Sequence, residues 1–296
     1  MNTRKRISAF LLLCLLLSLF AAQIVLAEGE PPAETETVTE SVEEQEKVEK
    51  EEKNGFEKWI QKIKDEFYLC FIKGNRWKML AEGLWLTIRI TFFAVLFGIV
   101  IGLVIAMIRT TYDNNFSKIH GILRPLIAFF NAISKIYLTV IRGTPVVVQL
   151  MIMYFVIFAS STNKFLTCVI AFGVNSGAYV AEIFRSGLMS IDRGQMEAGR
   201  SLGFNYIQTM WHIIIPQAFK NVLPTLANEF IVLLKETSVS GYVAMTDLTR
   251  AGDIIRGTTF VPFMPLLAVA LIYLVIVMGL TWIVGKFERR LRTSDH

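Results

Sequence analysis

A lysine and a glutamate stand side by side within an otherwise apolar run, Lys235-Glu236, and two hydroxyl residues follow, Thr237 and Ser238. Counted from Pro224, where a membrane-spanning helix is expected to begin, Lys235 comes eleven residues later, about 16 Å along a helix. That is near mid-bilayer, where a charge is costly unless it is paired or faces a polar cavity. Successive helical residues point about 100° apart, so Lys235 and Glu236 do not neutralise each other on one face. Each must address another protein group, a solute or water. A structural alternative pairs Lys235 with Glu182. Arg142, Gln149, Tyr179 and Glu182 are further polar candidates in or beside apolar segments. Arg142 either touches a solute, caps a broken helix or snorkels towards water. Gln149 and Tyr179 either line a path or hydrogen-bond between helices.

These residues require a membrane scaffold. The chain is 53% hydrophobic with mean hydropathy +0.50, too apolar for a soluble domain of 296 residues. Several runs reach the ~18–20 apolar residues that span a bilayer. The net charge of +5 conceals an acidic stretch from Glu28 to Lys53 and a basic remainder. The Arg and Lys residues cluster beside the apolar runs, so they report topology and not nucleic-acid binding. Cys14, Cys70 and Cys168 are isolated, and His120, His212 and His296 form no metal-binding pattern. No nucleophile motif supports a membrane enzyme. The expected class is an all-α integral membrane protein of the cytoplasmic membrane, crossing it several times.

Residues 1–27 combine Arg4, Lys5 and Arg6 with an apolar run and a small residue at Ala27, which reads as a signal peptide or an uncleaved signal anchor. Residues 28–55 are too charged and too poor in large apolar side chains to offset ordering entropy, and read as a disordered extracytoplasmic tether. Over residues 56–80 apolar positions recur at helical spacing with lysines between them. The segment is expected to lie on the outer membrane surface or to pack on the next helix. The transmembrane domain occupies residues 81–290. Five spans are expected: near 84–108, near 126–158, near 165–188, a fourth that begins near Pro224 and passes through Lys235 and Glu236, and a fifth near 266–284. Gly98 and Gly102 give the first a face open to close helix approach. Arg142-Gly143-Thr144-Pro145 breaks the second. Positive residues assign the loop after Arg109, the segment 190–223 and the tail 291–296 to the cytoplasm.

The loop 190–223 has its own punctuation. Asp192 with Gln195, and Asn205 with Gln208, have the spacing of helix-starting capping pairs. Gly203 is suited to a left-handed stop, and Pro216 is expected to end or redirect the second helix. Two short helices would form a rigid knob. Ala198 and Gly199 would admit a partner backbone, and Glu197 would cap or pair with a basic group. The alternative is a helical hairpin with ordinary caps and no partner.

From Glu197-Ala198-Gly199 through Gly203 to Ile213 and Pro216, the spacing resembles the Glu-Ala-Ala, three residues, Gly, nine residues, Ile-x-Leu-Pro loop of ABC-type importer membrane subunits. Gly199 and Ile215 replace that pattern's Ala and Leu. Arg142-Gly143-Thr144-Pro145 with Gln149, Tyr179-x-x-Glu182-Ile183-x-Arg185, Gly194-Gln195, Pro216-Gln217-Ala218 and Lys235-Glu236-Thr237-Ser238 extend the resemblance over about residues 65–290. Together they are similar to the polar amino acid permease branch, the histidine/glutamine permease family. The resemblance implies a five-helix type I importer core and a second permease subunit, identical or sister. It also implies two ABC ATPase subunits that bind ATP and Mg, an extracytoplasmic binding protein and a polar amino acid as substrate. By the same resemblance, Glu197, Ala198, Gly199, Gly203, Ile213 and Pro216 couple to the ATPase. Lys235, Glu236, Thr237, Ser238, Glu182, Tyr179, Gln149 and Arg142 belong to the translocation path. The family usually has Asp where Glu236 stands. No Gly-x-x-x-x-Gly-Lys-Ser/Thr phosphate loop occurs, so ATP hydrolysis is expected from a partner and no cofactor in this chain. The competing expectation is an ion-coupled secondary amino acid transporter that uses Lys235, Glu236 and Glu182. It lacks the evident inverted repeat common in that class.

Overall fold

The computed structural model describes residues 55–115 and 120–293. The expected signal segment, nearly all of the acidic tether and residues 294–296 lie outside them. The chain divides into two compact units, residues 1–61 and 62–296. Helix α1 covers residues 55–67; near its start Phe56 stacks on Trp59 with ring centroids 6.0 Å apart. The second unit continues through a π turn at Tyr68–Ile72, and Gly74 adopts φ +72° to turn the chain into the next helix. That helix, α2, is Trp77–Asn115, 39 residues or about 58 Å. It therefore begins ahead of the expected Leu84, and residues 77–80 belong to it and not to a surface helix.

The order then runs α3 (Leu123–Gly143), α4 (Val146–Ile152) with a π turn to Ile157, and α5 (Lys164–Met189). Next come α6 (Arg193–Ser201), α7 (Tyr206–Thr209), a π turn at Met210–Ile214 and α8 (Ile215–Glu236). A 3-10 turn at Thr237–Val243, α9 (Leu248–Thr259) and α10 (Met264–Thr293) complete it. Among the described residues all regular structure is helical, as lipid requires of backbone that must satisfy itself. Helices α2, α3, α5 and α10 are long and apolar enough to cross a membrane. At 22 residues, about 33 Å, α8 matches them in length. It carries Lys220, Glu229, Lys235 and Glu236, and completes a five-helix core.

Two expectations about α8 change. Pro216 neither ends nor redirects a helix. The π turn closes on itself, with Ile215 N–H donating to Met210 O, and places Pro216 in the first turn of α8, where a missing N–H costs nothing. Pro224 lies inside α8 and does not start it. Lys235 is thus twenty residues into the helix, about 30 Å from its start, in the last turn and not at the middle.

Helices α2 and α5 form the closest seam. A Cβ on Gly98 would lie 3.1 Å from Gly177 N, and one on Gly102 would lie 2.8 Å from Ala181 N. From the other side, a Cβ on Gly173 would lie 3.1 Å from Ala94 O. Contacts advance together along both helices, so the two run parallel, and the Gly98–Gly102 face receives α5. Between apolar helices in lipid, such close van der Waals packing drives association. Around the seam a buried cluster joins Ile90, Ala94, Leu150, Phe172, Leu233 and Val243. Outward, α10 exposes Val275, Met278 and Trp282 along a helix almost wholly unburied by protein. Gly102→Val is expected to destabilise the protein by about 1–3 kcal/mol through overpacking, lowering its thermal midpoint in detergent. Gly279→Ala, with nothing within 4 Å of its Cβ, is expected to leave the midpoint unchanged. Equal midpoints for both variants would contradict the seam.

Candidate functional site

On the side of α5 away from that seam, polar residues recur at helical spacing: Asn175, Tyr179, Glu182 and Ser186. On α8, Asn221, Thr225 and Glu229 do the same at intervals of four. The two stripes face each other across a cavity of about 540 Å³, and Arg142 at the end of α3 contributes to the same wall. Tyr179, Glu182 and Arg142 therefore come together as a lining set. The Arg142 guanidinium sits over the Tyr179 ring, 5.6 Å from its centroid.

Glu229 is the strongest feature that sequence reasoning missed. It is only 8% exposed, yet it lines the cavity and accepts one hydrogen bond, from Ser176 Oγ at 2.9 Å. A buried carboxylate with one short neutral partner retains acceptor capacity towards a donor in the cavity. The 221-225-229 spacing was the available signal, since a helix face carrying three polar groups needs a polar surface opposite. Glu182 has a different environment. Arg185 lies 3.9 Å from it and donates to Asp113 of α2 at 3.3 Å, so that cation is shared between two carboxylates. Towards the α6 end, Asn221 Nδ2 donates to Ser190 Oγ at 2.9 Å, joining α8 to the end of α5.

The other path candidates are placed elsewhere. Gln149 does not line the cavity; its amide spans the helix break and accepts from Asn175 Nδ2 at 2.9 Å. Lys235 is exposed at the end of α8, and among the described residues no ion pair joins it to Glu182. Glu236 is half-buried, seven residues beyond Glu229 and so on the same side of α8, about 10 Å further along. Thr237 is fully buried; its hydroxyl donates to Leu234 O at 2.8 Å and lies 3.4 Å from that of Thr91. A hydroxyl used in this way serves helix packing and is not available as a ligand. Ser238 is half-buried in the 3-10 turn. None of these four lines the cavity.

The expected knob forms from α6 and α7. The Asp192 side chain caps α6 by accepting from Gly194 N, while Gln195 accepts from Gln217 at 3.4 Å and forms no reciprocal box. Asn205 and Gln208 do form the full capping box. Gly203 closes α6 at φ +87°. Gly199 is not a surface for a partner. It is buried, and a Cβ there would lie 2.5 Å from Thr209 Cγ2 and 3.1 Å from Ile213 Cδ1, so its small size lets α6 pack on the following helix. Glu197, Ala198 and Pro216 are exposed, and Ile213 is half-buried. Beside them Leu202, Ile207 and Trp211 present large apolar side chains, each about 70% exposed. Hydrophobicity alone does not distinguish an exposed apolar side chain of a short helix from a buried one.

The architecture has solved counterparts. An amino acid ABC transporter crystallised with histidines superposes with TM-score 0.65 at 38% identity, over 74% of this chain and 98% of that one. The MetNI methionine ABC transporter in an inward-facing conformation shares the fold, with TM-score 0.55 at 20% identity, over 73% of this chain and 95% of that one. Among curated relatives, the arginine transport system permease protein ArtQ of Bacillus subtilis is 35% identical over 219 residues, 73% of this chain and 94% of the relative. The L-cystine transport system permease protein TcyB of the same organism is 34% identical over 74% of this chain and 89% of its own length. The glutamine transport system permease protein GlnP of Escherichia coli is 37% identical over 55% of this chain and 76% of its own. The profile of the binding-protein-dependent transport system inner membrane component family matches residues 124–293. This chain is a member of that family of binding-protein-dependent transport system inner membrane components.

Proposed function

We propose that this chain is the membrane permease subunit of an ATP-driven importer for a polar amino acid with a cationic side chain. The observation that carries the proposal is the cavity in which Arg142, Glu182 and Glu229 meet between apolar helices. An amino acid zwitterion needs a cation for its carboxylate and an acceptor for its ammonium. Arg142 suits the first through a planar guanidinium fork, and Glu229 suits the second. With Arg185 shared between Glu182 and Asp113, the cavity and its border hold two cations, Arg142 and Arg185, against three carboxylates, Asp113, Glu182 and Glu229, and a cationic side chain would balance the excess. The relatives named for arginine, glutamine and cystine transport support the amino acid class.

The partners are two ABC ATPase subunits that bind ATP and Mg, an extracytoplasmic binding protein, and a second permease subunit, either a copy of this chain or a sister. The knob of α6 and α7 docks on the ATPase through its exposed face: Glu197, Ala198, Leu202, Ile207 and Trp211. Gly199, Gly203, Ile213 and Pro216 keep it rigid, so movement of the ATPase is carried into α5 and α8 and exposes the cavity alternately to the two sides. Lys286, Arg289, Arg290 and Arg292 after the last apolar run support a cytoplasmic C-terminus. Lys235, Glu236 and Ser238, beyond Glu229 on α8 and the turn after it, stand at the opposite end of the path, where they meet the incoming solute. Thr237 holds that end together.

In proteoliposomes holding the complete complex and its binding protein, ATP-dependent uptake of L-arginine is expected to exceed that of L-glutamine. Glu229→Gln is expected to reduce L-arginine uptake about tenfold or more, the consequence of removing one partner of a buried charge pair. Uptake by Glu229→Gln at the unaltered rate would contradict the cavity assignment. Glu197→Lys and Gly203→Asp are expected to abolish uptake while leaving the chain inserted, with the ATPase no longer co-purifying with the Gly203 variant. Unaltered uptake by both would remove the coupling role of the knob.

A further inference from the structure

Helix α3 ends where Pro145 breaks it, and the break leaves a particular debt. Residue 145 would have donated its N–H to the carbonyl of Ile141, four residues earlier, and proline has none to give. In this structure the donor is Gln149: its Nε2 lies 2.7 Å from Ile141 O, 3.1 Å from Thr144 O and 2.7 Å from Thr144 Oγ1. Two amide hydrogens serve three acceptors, so one is shared. Thr144 Oγ1 in turn donates to Val140 O at 2.8 Å. One side chain from the first turn of α4 thus closes the end of α3.

The other half of the amide points to α5. Gln149 Oε1 accepts from Asn175 Nδ2 at 2.9 Å. Asn175 is 3% exposed and its Oδ1 has no partner, so among the described residues this is the one hydrogen bond its side chain makes. Asn175 stands four residues before Tyr179, on the same face of α5. Neighbouring rungs of α5 therefore hold the break twice, Asn175 through Gln149 and Tyr179 beneath the Arg142 guanidinium. The ring contact is a weak restraint on a long, exposed side chain. Fixing the backbone at Ile141 determines where the next residue, Arg142, can direct its guanidinium.

We propose that Gln149 is the positioning residue of Arg142, acting from outside the cavity by capping the broken end of α3 and tying it to Asn175. The role rests on the cavity being the path of the amino acid. It assigns to the glutamine of the Arg-Gly-Thr-Pro segment a function in solute affinity without solute contact. The Nε2 donors fix the backbone, the Oε1 acceptor fixes its distance from α5, and the guanidinium is left lining the cavity, with no hydrogen-bond acceptor among the described residues.

The test is isothermal titration of L-arginine into the purified permease–ATPase complex, with thermal midpoints measured in parallel. Arg142→Gln and Gln149→Met are each expected to weaken binding about tenfold or more. Asn175→Ala, which leaves the α3 cap intact and removes only the tether, is expected to weaken it in the same direction. The double variant Arg142→Gln, Gln149→Met is expected to bind within about twofold of Arg142→Gln alone, because Gln149 acts through Arg142. If Arg142→Gln weakens binding while Gln149→Met and Asn175→Ala lower only the thermal midpoint, the positioning role is overturned and the cavity assignment stands. Additive losses in the double variant would also overturn it. If Arg142→Gln binds L-arginine as tightly as the unaltered complex, the cavity assignment itself fails and the positioning role with it.

Discussion

The close approach of α2 and α5 is the constraint on which the site depends. Gly98 and Gly102 on one helix and Gly173 and Gly177 on the other remove the side chains that would hold the axes apart. Apolar helices in lipid gain little from hiding apolar surface from each other, so shape fit must supply the association. Once α5 is fixed on that side, its opposite face is fixed too. That face carries Asn175, Tyr179, Glu182 and Ser186, and each reaches α3, α4, α8 or the cavity between them. Steric economy on one side of α5 permits polarity on the other.

The polar groups behind the cavity are held by one another with few spare bonds. Ser176 donates to Glu229, Asn175 to Gln149, Asn221 to Ser190, and Arg185 lies between Asp113 and Glu182. All of these except the Arg185–Glu182 contact within α5 run between elements and so report relative helix position. Charges with few partners in a medium of low dielectric are costly to keep. Buried Glu229, which accepts from Ser176 and from no other side chain among the described residues, keeps acceptor capacity directed at the cavity, and the Arg142 guanidinium stands over Tyr179 at the same wall. The knob follows the opposite logic. Its internal contacts, Gly199 on Thr209 and the Asn205–Gln208 capping box, make it rigid, while its large apolar side chains face outward.

Much of this was legible in the sequence. Lengths of apolar runs gave four of the helices, Pro145 gave the break, and Gly203 gave the left-handed end of α6. Two features were not. Pro216 reads as a helix end, yet a π turn at Met210–Ile214 carries the helix past it and moves Lys235 from mid-helix to its last turn. Nothing local in Met-Trp-His-Ile-Ile announces a π turn, which depends on the packing of α6 behind it. Polarity alone also could not rank the candidates. Lys235-Glu236-Thr237-Ser238 is conspicuous as a cluster, whereas Glu229 stands beside Asn228 in a plain helical sequence. Which of them borders a cavity and which, like Thr237, is spent on packing is decided by helix rotation, a tertiary property. Gly199 is a parallel case, small because Thr209 lies against it and not because a partner does.

The most direct test of the central claim is a structure of the ATPase-bound complex determined with L-arginine. The amino acid is expected in the α3–α5–α8 cavity, its carboxylate at the Arg142 guanidinium and its ammonium at Glu229. L-arginine bound elsewhere in the membrane domain, with Arg142 and Glu229 making no contact to it, would rule out this cavity as the amino acid site.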